Sequence, residues 1–308
     1  DSMYFLGVDG GGTKTTFTLV DEELNIVGTI TKGTCHYNQI GFDNLTKLLI
    51  TGLEEVCKDA KINVEEITYA FVGLAGYGKI KEVLYALEVA TKNAYSHINY
   101  TLGNDVEIAL AGSLNGEKGI NIIAGTGSIA QALDKDGNLH RCGGWGYVLG
   151  DEGSAYYIGM ATLKMFTMQS DGRCSKTKLY DLIKRHLNIE NDYDIIKYVN
   201  DEIQGDRIEI AKFATICLKA VIEGDNTASK IFDDAAYELS RLIIGLEHHF
   251  EQGTKIKVSY SGGVFKSGDL ILEPLKKYLN KTRFGIVRPV LTPDLGACLL
   301  AKKKYYSK

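Results

Sequence analysis

The sequence predicts an α/β fold of two lobes around a cleft. Three observations carry this reading. A β-meander built on a glycine-rich turn opens the chain, the same unit returns 113 residues later, and each copy is followed by helices interleaved with strands. Tyr4 to Asp9 is an apolar strand, Gly10-Gly11-Gly12-Thr13-Lys14 a turn, and Thr15 to Val20 a second strand rich in β-branched residues. Asp21-Glu22-Glu23 is a second turn, and Leu24 to Thr31 completes the meander.

The second copy runs Gly119 to Ala124 (strand), Gly125-Thr126-Gly127-Ser128 (turn), Ile129 to Leu133 (strand), then the acidic turn Asp134 to Asn138. A shift of 113 positions carries Gly12 onto Gly125, Thr13 onto Thr126, Asp21 onto Asp134 and Asn25 onto Asn138 without a gap. A period this long is a duplicated domain, since solenoid repeats run about 20–50 residues.

After the first meander, Asp43 to Asp59 and Lys79 to Ala94 have helical spacing. Ile67 to Leu74 and Tyr100 to Leu102 are strands, and Glu107 to Leu114 is a short helix. After the second, helices are predicted over 155–169, 176–186, 192–200, 207–223, 228–251 and 270–280. Strands fall at Lys255 to Ser261 and Arg283 to Val287. The predicted lobes are 1–117 and 118–308, with the last helix, 294–304, packing back on the first lobe.

Composition removes several function classes. The 308 residues are 44 % hydrophobic and 24 % charged, which is globular and not disordered. Net charge is −4, so no basic footprint for nucleic acid exists, and Lys302-Lys303-Lys304 with Lys308 reads as a solvated helix end. The longest uncharged run, Gly119 to Leu133, is too short and too polar for a membrane span of about 20 residues. Asp1-Ser2 reads as a remnant ahead of Met3, with no signal peptide. The six Cys form no C-x-x-C pair, which fits a reduced, cytoplasmic protein.

Gly7 to Thr15 fails as a Walker loop, because Thr13 stands where Lys is needed and a strand follows. It fits a phosphate-binding hairpin instead. Successive backbone N–H groups of Gly11, Gly12, Thr13 and Lys14 can converge on anionic oxygens, and Asp9 at the strand end can hold a hydrated Mg2+. Thr126 and Gly127 repeat the device. Asp105 follows a short strand and opens a helix, so it is either a helix cap or free for chemistry with Asn104 as the cap. Cys142-Gly-Gly-Trp-Gly-Tyr-Val-Leu-Gly-Asp-Glu-Gly-Ser154 holds the only Trp and five Gly and reads as a binding loop, with a cap on the next helix as the competing role for Asp151 or Glu152. Gly262-Gly263 lets a flat base approach the backbone, with a tight strand–helix turn as the competing reading. His248-His249 reads as surface, with no metal partner.

These motifs resemble the acetate and sugar kinase, heat-shock ATPase and actin superfamily. Within it they resemble the N-acetylglucosamine kinase-like branch of the BadF/BadG/BcrA/BcrD ATPase group. Asp9 to Thr15 is similar to the first phosphate motif, Gly125 to Ser128 to the second, Ser259 to Phe265 to the adenosine motif and Asp294 to Ala301 to a connecting helix. The Gly-Trp-Gly-x-x-x-Gly-Asp-Glu loop is the most specific of them. The resemblance implies two ribonuclease H-like lobes around a nucleotide cleft, ATP and Mg2+ as cofactors and an amino sugar as acceptor. It implies Asp105 as general base. Asn38, Gly144, Trp145 and Asp151 are implied as sugar contacts, and Thr13, Thr126, Ala214, Gly262 and Gly263 as nucleotide contacts. A homodimer is allowed for; nucleic acid and membrane are not expected as partners.

Three rival classes share parts of this pattern. The zinc-containing repressor and kinase family carries a Cys-x-Cys-Gly-x-x-Gly-Cys cluster, absent here, and often a DNA-binding domain, whereas eight residues precede Asp9. An ATPase activator of a 2-hydroxyacyl-CoA dehydratase needs paired cluster cysteines and lacks the Gly-Trp-Gly loop. A non-catalytic sugar sensor would need no Asp105. The reading is therefore an ATP-dependent kinase for the 6-hydroxyl of N-acetylglucosamine, N-acetylmuramic acid or glucosamine.

Overall fold

A computed structural model describes residues 2–307, so Asp1 of the leading dipeptide and Lys308 of the basic tail lie outside the described residues. The chain divides into two units. The first runs to Lys118 and takes up the chain again from Arg288; the second is Gly119–Val287.

The first unit opens with β1 (Tyr4–Gly10), β2 (Lys14–Val20) and β3 (Ile26–Gly33) as an antiparallel meander. Helix α1 (Tyr37–Ala60), β4 (Ile67–Leu74), α2 (Lys81–Tyr95), β5 (Tyr100–Asn104) and α3 (Asp105–Ser113) follow. The sheet order is β3-β2-β1-β4-β5, with β4 parallel to β1 and β5 parallel to β4. Leu6, Val8 and Phe17 on one face of the sheet pack with Leu45, Leu49 and Leu53 of α1. Gly52 is dictated by this packing: a Cβ there would stand 2.2 Å from the Phe17 ring. A mid-helix Gly costs about 1 kcal/mol, and burying the Phe17 ring returns about 1.5–3 kcal/mol.

The second unit repeats the topology. Strands β6 (Gly119–Ala124), β7 (Ser128–Leu133) and β8 (Leu139–Gly143) form its meander. Helices α4 (Ala155–Ser170), α5 (Lys178–Leu187), α6 (Asp194–Lys197), α7 (Arg207–Ala211), α8 (Phe213–Ile222) and α9 (Asn226–Ile244) precede β9 (Ile256–Ser261), α10 (Asp269–Tyr278) and β10 (Phe284–Ile286). The order β8-β7-β6-β9-β10, with β9 parallel to β6 and β10 parallel to β9, matches the first sheet strand for strand. This is the ribonuclease H-like order in duplicate. The last helix, α11 (Pro293–Tyr306), belongs to the first unit, where Ala297 and Ala301 pack with Phe5, Phe71 and Ile108 on the sheet face opposite α1.

Several predicted elements differ in detail. The predicted helix 207–223 is two helices, α7 and α8, joined at Lys212. Ile210 of α7 presses on Gly159 of α4, where a Cβ would stand 2.0 Å from the Ile210 carbonyl oxygen. The predicted helix 192–200 is the single turn α6 followed by a π-turn, Tyr198–Glu202. The predicted helix 228–251 stops at Ile244, and His248 and His249 stand on the separate 3-10 turn Glu247–His249. His248 is exposed, and His249 is half-buried and stacks on His140 with ring centres 3.6 Å apart. Among the described residues no His/Cys/Asp/Glu cluster suits a metal, no helix is long and apolar enough to cross a membrane, and all six cysteines are unpaired. Of the basic cluster, exposed Lys303 donates through Nζ to the Gly116 carbonyl at 3.2 Å.

Candidate active site

In the first unit, β1 delivers Asp9 to the mouth of the glycine turn, opposite Thr16 of β2 and Gly73 of β4. The Gly11 N–H donates to Asp9 Oδ1 at 3.2 Å. A Cβ on Gly11 would stand 3.2 Å from Asp105 Oδ2 and 3.3 Å from Asp9 Oδ1, so the turn runs directly against both carboxylates. Gly12 adopts φ +58°, a conformation that favours glycine, and Gly12, Thr13 and Lys14 are exposed.

The helix-cap question at Asp105 is settled by its neighbour. Asn104 is the N-cap of α3, its side-chain oxygen accepting the Glu107 N–H at 2.8 Å. The carboxylate of Asp105 is thereby spared the capping role. Burial raises its pKa, against opposing pulls from backbone N–H groups at the start of α3, from Lys79 and from His36. Asp9 is pushed up to about 6, chiefly by burial and further by Asp105 and Asp294, with the Gly11 N–H and Lys14 opposing.

Three of these neighbours were not legible as site residues. Asp294 accepts the Thr18 hydroxyl at 2.8 Å at the head of α11, far along the chain from Asp9. Lys79 and His36 reach Asp105 only through the fold. Asn38, the predicted sugar contact, is solvent-exposed in the first turn of α1, and its N–H donates to His36 Nδ1 at 3.2 Å. Of the two, half-buried His36 is the residue electrostatically coupled to Asp105.

In the second unit, the Gly125-Thr126-Gly127-Ser128 turn is bound to the Asp151–Ser154 strap. Ser128 N–H donates to Asp151 Oδ1 at 3.1 Å, and the Ser128 hydroxyl to the Glu152 carbonyl at 2.6 Å. A Cβ at Gly127 would stand 2.6 Å from Asp151 Oδ1, which explains the glycine. Ser154, not Asp151 or Glu152, caps α4 by accepting the Tyr157 N–H at 3.1 Å. Asp151 has φ +58° and is 4 % exposed, yet its Oδ2 and Glu152 Oε1 are buried without a hydrogen-bond partner. Buried carboxylate oxygens without hydrogen-bond donors are costly, and the nearest cation to Asp151 Oδ2 is the Arg207 guanidinium at 3.8 Å.

Gly144 has φ +76°, and Trp145 beside it is 63 % exposed with the Arg141 guanidinium 5.2 Å from its ring centre. The Gly150 N–H donates to the Gly146 carbonyl at 2.7 Å, which folds the Trp145 loop back on the acidic strap. Gly262 has φ +103°, and a Cβ there would stand 2.5 Å from the Ala124 carbonyl oxygen, so Gly262-Gly263 lies against the end of β6 beside the Gly125 turn. Ala214 lies on α8, half-buried against the second unit's core, and the hydrogen bonds that join the turn and strap do not include it.

The sequence profile of the BadF/BadG/BcrA/BcrD ATPase family matches residues 6–301, nearly the whole chain. The chain belongs to the BadF/BadG/BcrA/BcrD ATPase family. This BadF/BadG/BcrA/BcrD ATPase family member is similar to an N-acetylmuramic acid/N-acetylglucosamine kinase of Clostridium acetobutylicum, with 29 % identity over 98 % of this chain and 99 % of the relative. It is similar to an N-acetyl-D-glucosamine kinase of Dictyostelium discoideum at 28 % identity, over 96 % of this chain and 97 % of that one. Its fold matches a solved candidate N-acetylglucosamine kinase from Chromobacterium violaceum, with TM-score 0.78 at 24 % identity over 97 % and 98 % of the two chains.

Proposed function

We propose that this chain transfers the γ-phosphoryl group of ATP to the 6-hydroxyl of an amino sugar, with N-acetylglucosamine as the first acceptor to test. One observation carries the reading: Asp105, released from capping by Asn104, stands against the same glycine turn as Asp9. A base is thus next to a phosphate cradle. The full-length similarity to amino-sugar kinases supplies the acceptor class.

Each residue then has a task. Asp105 accepts the proton of the sugar 6-hydroxyl as that oxygen bonds to the γ-phosphorus and the bond to the β-phosphate oxygen breaks, leaving ADP. Gly11, Gly12 and Thr13 of one turn, and Thr126 and Gly127 of the other, serve the phosphates through backbone N–H and hydroxyl groups, while Lys14 adds positive charge. Gly262-Gly263 takes the adenosine. Asp151 and Trp145 take the sugar: the orphaned Asp151 Oδ2 accepts a sugar hydroxyl, and the indole packs on the ring.

The residues fit a divalent cation, because burial and two neighbouring carboxylates hold Asp9 at about 6 in want of positive charge. Asp9 would hold Mg2+, which when bound offsets charge on the transferring phosphates. Phosphoryl transfer otherwise rests on positioning. The unpaired cysteines fit a reducing, cytoplasmic setting.

Trp145 is the only Trp, so its emission reports on the loop. Titration with N-acetylglucosamine is expected to shift the emission. Asp151→Ala is expected to weaken the response by about 10–100-fold in affinity, the value of a hydrogen bond to a charged group. A wild-type emission that ignores every amino sugar but answers to ATP would remove this loop from the sugar site.

A further inference from the structure

A cavity of about 440 Å³ opens beside the acidic strap, between Tyr147 of the Trp145 loop and the segment 203–208 that leads into α7. Ligand pockets run about 300–1,000 Å³, so it can take a substituent the size of a short carboxylic acid with its water. Arg207 is its one lining cation. The guanidinium Nη1 lies 3.8 Å from Asp151 Oδ2, an ion-pair distance that is too long for a hydrogen bond. The two partners are unequal: the Asp151 side chain is 6 % exposed and the Arg207 side chain 41 %. The Arg207 side chain is thus partly open to solvent where it lines the cavity.

The other acids of this segment are engaged. Asp206 Oδ2 accepts the Glu209 N–H at 3.0 Å as the cap of α7, and Glu209 Oε1 pairs with Lys212 Nζ at 2.8 Å. Gln204 and Tyr147 add polar groups around the same opening.

We infer that Arg207 is a specificity-determining residue that receives an acidic substituent on the amino sugar. The inference rests on the sugar-kinase reading, because it places the substituent beside Asp151. A carboxylate brought next to buried Asp151 without a cation would be repelled. With its five N–H donors, Arg207 can face Asp151 on one edge and the incoming carboxylate on the other. The chemistry fits an N-acetylhexosamine that carries an acidic ether, as the 3-O-lactyl group of N-acetylmuramic acid does.

The test compares N-acetylglucosamine with N-acetylmuramic acid as acceptors in the same full-length enzyme. Wild type is expected to phosphorylate both. Arg207→Ala is expected to lower the ratio of kcat/KM for N-acetylmuramic acid to that for N-acetylglucosamine by about 10–100-fold, the loss of one charge-assisted hydrogen bond. Arg207→Lys is expected to recover part of that ratio, since it keeps the charge without the fork, and Arg207→Glu to lower it further. The ratio is unaffected by a general loss of folded enzyme. If it stays within about threefold of wild type in all three variants, Arg207 only supports Asp151 and the inference fails. The inference also fails if wild type accepts N-acetylglucosamine and refuses N-acetylmuramic acid. If it phosphorylates no amino sugar at all, the kinase reading fails with it, which is a separate result.

Discussion

Asp105→Asn is expected to cut turnover by about 10²–10⁴-fold, the worth of a positioned general base. Sugar and ATP affinity are expected to hold, because Asn keeps the size and most of the polarity of the side chain. Asn104 keeps α3 capped in the variant, so the loss is not one of helix stability. The pH profile gives a second signature. Burial raises the Asp105 pKa, and the base must be ionised to act, so wild-type turnover is expected to fall with decreasing pH at a point above the ordinary carboxylate range. Separate measurement of kcat and binding across pH checks both. Turnover of the Asn variant within about tenfold of wild type would be below what general-base loss costs and would end the assignment.

Asp9→Asn is expected to make the metal-free protein more stable above pH 6 while impairing the Mg2+-dependent reaction. The folded pKa of Asp9 is raised to about 6 from 3.8. A raised carboxylate favours folding while protonated, below about pH 4, and that contribution is lost as pH rises through about 6. At pH 8 the ionised group therefore costs the fold up to about 3 kcal/mol, and about 1–3 kcal/mol after discounting for the solvent it still reaches. The neutral amide removes that cost. Thermal melts at pH 5 and pH 8, with and without Mg2+, check it: wild type alone is expected to gain stability from Mg2+ at pH 8. A variant that is less stable at pH 8, or that gains as much from Mg2+ as wild type, contradicts the role given to Asp9.

The meander repeat was legible because turns speak locally. Asp21 and Asp134 each stand where an acidic turn needs a side-chain acceptor, so that residue type recurs with the topology, whereas Gly12 has φ > 0 and its counterpart Gly125 does not. In both acidic turns the Asp caps the turn, with Asn25 N–H and Asn138 N–H donating to Asp21 and Asp134 at 2.8 and 2.9 Å. The division of predicted helix 207–223 was not legible, since Lys212 keeps helical dihedrals through the junction. The shift depends on close packing of α7 against Gly159 of another helix.

The same limit applies to the site. Asp9 was visible near the end of a strand before a glycine turn, and Asp105 directly after a short strand at the start of a helix. The nearness of His36 to Asp105 depends on how the start of α1 is capped, a matter of one or two residues at a helix start. Asp294 and Arg207 had no local signal: one meets Asp9 across nearly the length of the chain, the other approaches Asp151 from a separate helix.

The most direct measurement is the rate of ADP release from ATP and Mg2+, with and without amino sugar, together with the phosphorylated product. The account predicts slow release without sugar, strong stimulation by N-acetylglucosamine, and one sugar 6-phosphate formed per ADP. ADP release that is indifferent to N-acetylglucosamine, N-acetylmuramic acid and glucosamine, or a sugar phosphorylated at another position, would contradict it.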